Sequence, residues 1–379
     1  MTRVDVNPKL LHWACDRSGR SWEYLYRRFP KLEQWETGES KPTFKQLEDF
    51  AQATYTPIGY FFLSEPPAEK LPISDLRTLE NKRIEHPSPD LLHTLYICQR
   101  RQAWYRDYAQ SVGQDKLGYI GSLTSDFPPE QAAEQIRQSL DFDLKARQDC
   151  RSWSEALRYF IAQAENLGIL VMISGVVGNN NNRPLDPEEF RGFALSDDLA
   201  PLVFINGKDT KAAQIFTLAH EIAHLWIGES TLSDAGPASW PSDRIENWCN
   251  VVAAEFLVPM QELQEAISEN ESLADEKVDE LAQKFKVSTL VVLRRLFDLG
   301  YITREEFQEA YPGELSRLKR LSKSGGGNYY LTQEVRASRR FVRALVTSTL
   351  EGGTMYRDAF KLLGIKKTQT FSSLSSGIQ

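Results

Sequence analysis

From Thr210 to Ile227 the chain runs TKAAQIFTLAHEIAHLWI, apolar at most positions and without a glycine or proline to break it. A helix over this stretch is apolar almost all round, with Phe216, Leu218, Ile222, Leu225 and Trp226 among its buried positions, so it must pass through a core. It also carries His220, Glu221 and His224 into that core, and buried polar groups without partners are costly. Two histidines four residues apart lie one helical turn apart on one face. That spacing suits two imidazoles on one Zn²⁺ ion. Glu221 sits about 100° further round the helix, facing water beside such an ion, where a general base belongs. The alternative is a pair of ordinary hydrogen-bonded core histidines. Histidine is scarce here, five in the whole chain with two in this register, and that favours the metal.

A catalytic zinc takes three protein ligands and leaves a position open. No histidine follows His224, so a downstream third ligand is expected to be a carboxylate. Glu246, in RIENWCN, is the best candidate. Asn250 lies one turn further along the same helical face, where its amide oxygen can accept the outer ring N–H of a ligand histidine. Glu229, Asp234, Asp243 and Glu255 are rival carboxylates, Cys249 is a nearby thiol, and Glu246 itself could be a solvated first-turn residue.

A chain of 379 residues is expected to form two or three domains. Its 41% hydrophobic and 26% charged content is that of a globular protein. No apolar run is long enough to cross a membrane, and MTRVDVNPKLLHWACDRSG lacks the apolar core of an export signal, so a cytoplasmic location is expected. Cys15, Cys98, Cys150 and Cys249 stand singly, which reads as reduced thiols. The net charge of −7 gives no reason to expect whole-surface affinity for nucleic acid. From Glu314 onward, however, twelve Lys/Arg face four Asp/Glu, a local basic excess.

Residues 7 to 64 read as short helices. PKLLHWACDRSG has helical spacing and stops at Gly19; SWEYLYRRF starts on Ser21; TFKQLEDFAQAT places Phe44, Leu47, Phe50 and Ala51 on one face. EPPAEKLP reads as a linker. Residues 88 to 167 are helical in pattern, with Asp90 and Ser152 as starts and Gly168 as a stop. GILVMISG, FRGFALS and APLVFIN read as strands of a small sheet, with NNNN as a loop between them. GESTLSDAGPASWPS reads as a loop leading to the helix DRIENWCNVVAAEFL. QELQEAISE and VDELAQKFKVSTLVVLRRLFDLG read as further helices, and SKSGGGN as a second linker before a basic helical tail.

Two resemblances rest on these residues. Trp35, Glu36, Gly38 and Pro42, in W-E-x-G-x-x-x-P before an amphipathic helix, make the amino-terminal unit similar to Xre/Cro-type helix-turn-helix domains. Only RRFPKLEQ separates Tyr26 from Trp35, about one helical turn less than a recognition helix there needs, and residues 1–50 carry nine Lys/Arg against eight Asp/Glu, a weak footprint for DNA. A docking or dimerisation module is the alternative. LAQKFKVS and the helix after it also resemble a helix-turn-helix, with packing as the favoured reading.

FTLAHEIAH (216–224) with E-x-x-C-N-x-x-A-A-E-F-L-V-P (246–259) resembles the ImmA/IrrE family of metallopeptidases. Cys249 and Val252 stand where that family usually has Ala and Phe, both packing changes. The resemblance implies His220, His224 and Glu246 as zinc ligands and Glu221 as catalytic base. It implies an α+β, mostly helical chain: an Xre-like domain (1–66), a helical linker region (67–150), a zincin-like peptidase domain with a small sheet (151–312) and a basic helical extension (313–379). An edge strand near FRGFALS or APLVFIN would hold the substrate by strand addition. The activity implied is cleavage of a regulatory protein, typically a helix-turn-helix repressor. The alternative is a DNA-binding regulator or antitoxin that binds a neighbouring PIN-nuclease-like toxin, with DNA contact through the first domain or the basic tail.

Overall fold

The protein is described from a computed structural model over residues 2–69, 71–75, 87–233, 243–267, 275–321 and 336–376. Two compact units emerge: Met1–Pro72 with Ile84–Leu95, and Ile73–Arg83 with Tyr96–Gln379. The chain is mostly helical with one small mixed sheet, an α+β architecture. Asp234 and the SKSGGGN stretch lie outside the described residues. No helix among the described residues is long and apolar enough to cross a membrane.

The first unit holds helices α1 (Pro8–Arg17), α2 (Trp22–Arg28), α3 (Leu32–Glu36) and α4 (Phe44–Ala53), then a 3₁₀ turn at Ile58–Phe62. Ser21 caps α2 through Tyr24 N, and Thr43 with Gln46 forms a reciprocal capping box on α4. Leu10, Leu11, Leu25, Leu32, Trp35, Leu47, Phe50 and Phe61 form the core. Trp35 meets Phe50 edge-on at 6.3 Å, and Glu36 accepts a hydrogen bond from Tyr26 Oη at 3.0 Å. The Trp-Glu pair is therefore occupied in packing. The helix that ends on it has five residues, about one and a half turns. Phe44, expected on the buried face of α4, is 51% exposed. It is the first residue of the helix, where a side chain leans toward the amino end and away from the turns that follow.

In the second unit the strands are β1 (Ser74–Asp75), β2 (Leu170–Ser174), β3 (Gly192–Leu195), β4 (Leu202–Asn206) and β5 (Thr231–Ser233), in the order β1-β5-β3-β4-β2. The β1–β5 and β2–β4 pairs are parallel; β3 runs antiparallel to both its neighbours. The three longer strands read as unbroken apolar runs because both faces are covered. Val171, Ile173, Ala194, Val203 and Ile205 join the main core. On the other face Met172 meets Cys98 and Arg101 of helix α5 (Pro89–Ser111), and Phe193 stacks on Phe204 at 4.9 Å. The FRGFALS and APLVFIN strands, expected to offer a free edge, are interior to the sheet. The short polar β5, read as loop, closes one side of β3, and β1 already pairs with its outer side.

The main core is completed by α6 (Pro129–Ser139), α7 (Leu144–Gln148), α8 (Trp153–Leu167), α9 (Lys211–Ile227), α10 (Arg244–Leu257), α11 (Met260–Ala266), α12 (Asp275–Phe285), α13 (Thr289–Asp298) and α14 (Arg304–Leu321). Ser152 caps α8 and Gly168, at φ +112°, ends it. Helix α14 runs through Pro312 without a break. Three further helices, α15 (Arg339–Leu350), α16 (Tyr356–Leu363) and α17 (Thr368–Ser376), close the chain. They are docked rather than solvated: Phe341, Leu345 and Phe371 are buried, and Arg101 donates to the Leu362 and Arg336 carbonyls at 3.0 Å each. Asn179, from the asparagine loop, donates to the Leu363 and Gly364 carbonyls.

Candidate metal centre

Helix α9 is held at both ends. Thr210 caps it through Ala213 N, and Gly228 ends it in the left-handed conformation at φ +87°. A Cβ on Gly228 would come within 2.8 Å of Gly121 Cα, so glycine is required both for φ and for the close approach. The Gly121 and Leu123 N–H groups donate to the Leu225 and Trp226 carbonyls at 3.1 and 2.9 Å, satisfying part of the helix's orphaned carboxyl end.

Helix α10 packs against α9. Asp243 caps it, accepting from Ile245 N and Glu246 N. Its far end is gripped by three arginines that donate to backbone carbonyls: Arg137 to Glu255, Arg147 to Leu257 and Arg295 to Val258. Cations belong at a helix carboxyl end. Burial pulls the Arg147 guanidinium down to about 9.

The two helices bring His220, His224 and Glu246 together. His220 Nε2 lies 3.1 Å from His224 Nε2, Glu246 Oε2 lies 3.2 Å from His220 Nε2, and Glu246 Oε1 lies 3.1 Å from His224 Nε2. Ligand atoms about 2.0–2.1 Å from a tetrahedral zinc would stand about 3.3–3.4 Å apart, so the triangle has the size of a metal site. Its chemistry agrees. Two imidazole Nε2 atoms and a carboxylate face one buried place, a donor set that suits zinc. Among the described residues these three form the one cluster of His, Cys, Asp and Glu able to hold a metal ion.

The charges in the cluster are coupled. Burial works against a charged His220, but the Glu246 carboxylate, with Glu221 and the Asn250 side chain, outweighs it and raises the His220 pKa. Burial likewise opposes the charge on Glu246, yet the two histidines hold its carboxyl at about 2. For His224 burial prevails and its pKa falls. Cys249, beside the cluster, is pushed well up by burial and by Glu246, so it stays a neutral thiol.

Glu221 stands outside the triangle. It is fully buried, and its Oε1 lies 3.1 Å from where a Cβ would stand on Gly192 of β3. That same Cβ would be 2.6 Å from Thr217 Cγ2 and 2.9 Å from the Phe204 carbonyl oxygen. Glycine thus lets the sheet close on the helix at the glutamate. Sequence reasoning left Gly192 unmarked, although a glycine inside an apolar strand is itself the signal of close backbone approach. Gly192→Ala is expected to cost about 1–3 kcal/mol by overpacking and to displace Glu221, which thermal melting reads directly. Adding Thr217→Ser removes the nearest methyl group and should restore part of the loss.

The rival carboxylates are placed elsewhere. Asp243 is the α10 cap, Glu255 pairs with Arg295 and accepts from Met260 N, and Glu229 lies outside the cluster.

Residues 164–297, which contain β2–β5 and α9–α13, match the family described as the IrrE N-terminal-like domain of M78 peptidases. That match supports a metallopeptidase of the ImmA/IrrE kind. Residues 337–376, which contain α15–α17, match a domain family of unknown function (DUF8813). No curated protein is significantly similar to the chain.

Proposed function

We propose that the chain is a zinc-dependent endopeptidase that makes a limited cut in a partner regulatory protein, such as a helix-turn-helix repressor. The observation that carries this reading is the triangle of His220, His224 and Glu246 with a second buried acid, Glu221, one residue along from the first ligand. In this reading His220 and His224 bind through Nε2 and Glu246 through its carboxylate, while Asn250 holds the His220 ring in place. A zinc ion there supplies Lewis acidity, polarising a peptide carbonyl and acidifying water. Glu221 takes the proton of the attacking water and passes it to the leaving amine. Its place against Gly192 limits its motion, so the base is set before a substrate arrives. The test is a comparison of protein amino termini in cells carrying the native chain or His220→Ala. A new terminus in one regulatory protein, present only with the native chain, is expected; identical sets of termini would refute the reading.

One observation favours a second reading. His220, Glu221 and His224 are each 0% exposed, so among the described residues these three lie away from solvent. A regulator or antitoxin that binds a partner toxin, with the metal serving stability, would need no access. Full complementation by Glu221→Gln in the cell would support this second reading.

A further inference from the structure

The strongest unassigned feature is a cleft in the second unit, bounded by α5, α8 and α15. Its cavity of about 510 Å³ is lined by Tyr105, Tyr108, Arg158, Arg339, Arg340 and Arg343, and it includes none of the metal-centre residues. Small-molecule sites commonly fall in the range of about 300–1,000 Å³. Four guanidinium groups line this one against a single carboxylate, Glu165. Glu165 is already engaged: its Oε1 accepts from Ser338 Oγ at 2.6 Å. The remaining polar lining, Gln114, Asn166 and Thr347, is neutral.

The site is built, not merely a set of surface cations. Arg340 is fixed by donating from Nε to Tyr105 Oη at 2.7 Å and from Nη1 to the Glu165 carbonyl at 3.1 Å. Tyr108 is held by parallel stacking on Trp104, ring centroids 5.5 Å apart. Ser338, which caps α15 and so places Arg339 and Arg340, has φ +69°, a conformation a non-glycine residue holds only when its surroundings enforce it. Arg158, Arg339 and Arg343 are exposed at the rim. Converging cations repel unless an anion joins them, and planar guanidinium forks match phosphate oxygens two at a time.

We propose that this cleft binds a phosphate-bearing small molecule of nucleotide size, its phosphate on the arginines and its remainder against the tyrosine wall. Because Arg339, Arg340 and Arg343 come from α15 while Arg158 comes from α8, the ligand ties the final helices to the core. The proposal does not depend on the peptidase reading.

The test titrates the full-length chain with ATP, AMP and inorganic phosphate by calorimetry and thermal melting. Saturable binding of one ligand per chain is expected, weakened at least tenfold in Arg158→Glu/Arg343→Glu and unchanged in His220→Ala. Both substituted arginines are exposed, and Arg158→Gln/Arg343→Gln, which keeps size and polarity, should lose binding as well while melting like the native chain without ligand. Tighter binding of the nucleotides than of phosphate upholds the proposal; equal binding, which leaves the tyrosine wall without a role, overturns it. It is also overturned if none of the three binds at concentrations on the order of 1 mM, or if the double variants bind as the native chain does.

Discussion

Glu221→Gln is expected to retain metal as the native chain does and to cut its partner about 10²–10⁴-fold more slowly, the usual contribution of a positioned general base. The substitution preserves shape in a site with no spare room, since Glu221 is fully buried against β3. Its folding should therefore be near native. Loss of the carboxylate charge removes one of the influences that raise the His220 pKa, but Glu246 remains, and the three proposed ligands are untouched. Unchanged cleavage in this variant would remove Glu221 from the chemistry.

Glu246 is the source of the second large effect. It is the single anionic member of the triangle, and the histidines keep its carboxyl ionised down to about 2. Removing an outer-sphere partner already costs about 10–100-fold in metal affinity; Glu246→Ala, which removes a direct ligand and its charge, should cost more than about 100-fold. The same electrostatics set the response to acid. A histidine binds metal only when unprotonated, and the folded metal-free protein holds a proton on His220 more tightly than the ordinary value of 6.5 implies. Proton competition therefore begins above that value and grows as the pH falls. Metal retained after equilibration at stepped pH should decline from neutral pH downward, while a flat profile to pH values near those of ordinary carboxylates would contradict the coupling.

Helix α9 was legible as an apolar stretch without glycine or proline, while the caps of α9 and α10, Thr210 and Asp243, were not picked out. The strands β2–β4 were legible as dense apolar runs, a consequence of burial on both faces. Strands β5 and β1 were not, because Thr231–Ser233 and Ser74–Asp75 are short and polar and owe their conformation to the neighbour they pair with. That omission also misplaced the sheet's edge. His220 and His224 pair by helical spacing alone, whereas Glu246 stood among rival carboxylates that only the packing of α10 on α9 separates. Gly192 beside Glu221, and the three arginines on the carboxyl end of α10, depend on tertiary contacts. So does the docking of α15 to α17, whose amphipathic pattern announces a buried face without saying what buries it.

The most direct measurement is the metal content of the purified chain beside that of His220→Ala. One zinc per native chain is expected, and none bound stoichiometrically by the variant, with both proteins folded by circular dichroism. Stoichiometric zinc in both proteins, or in neither, would contradict it.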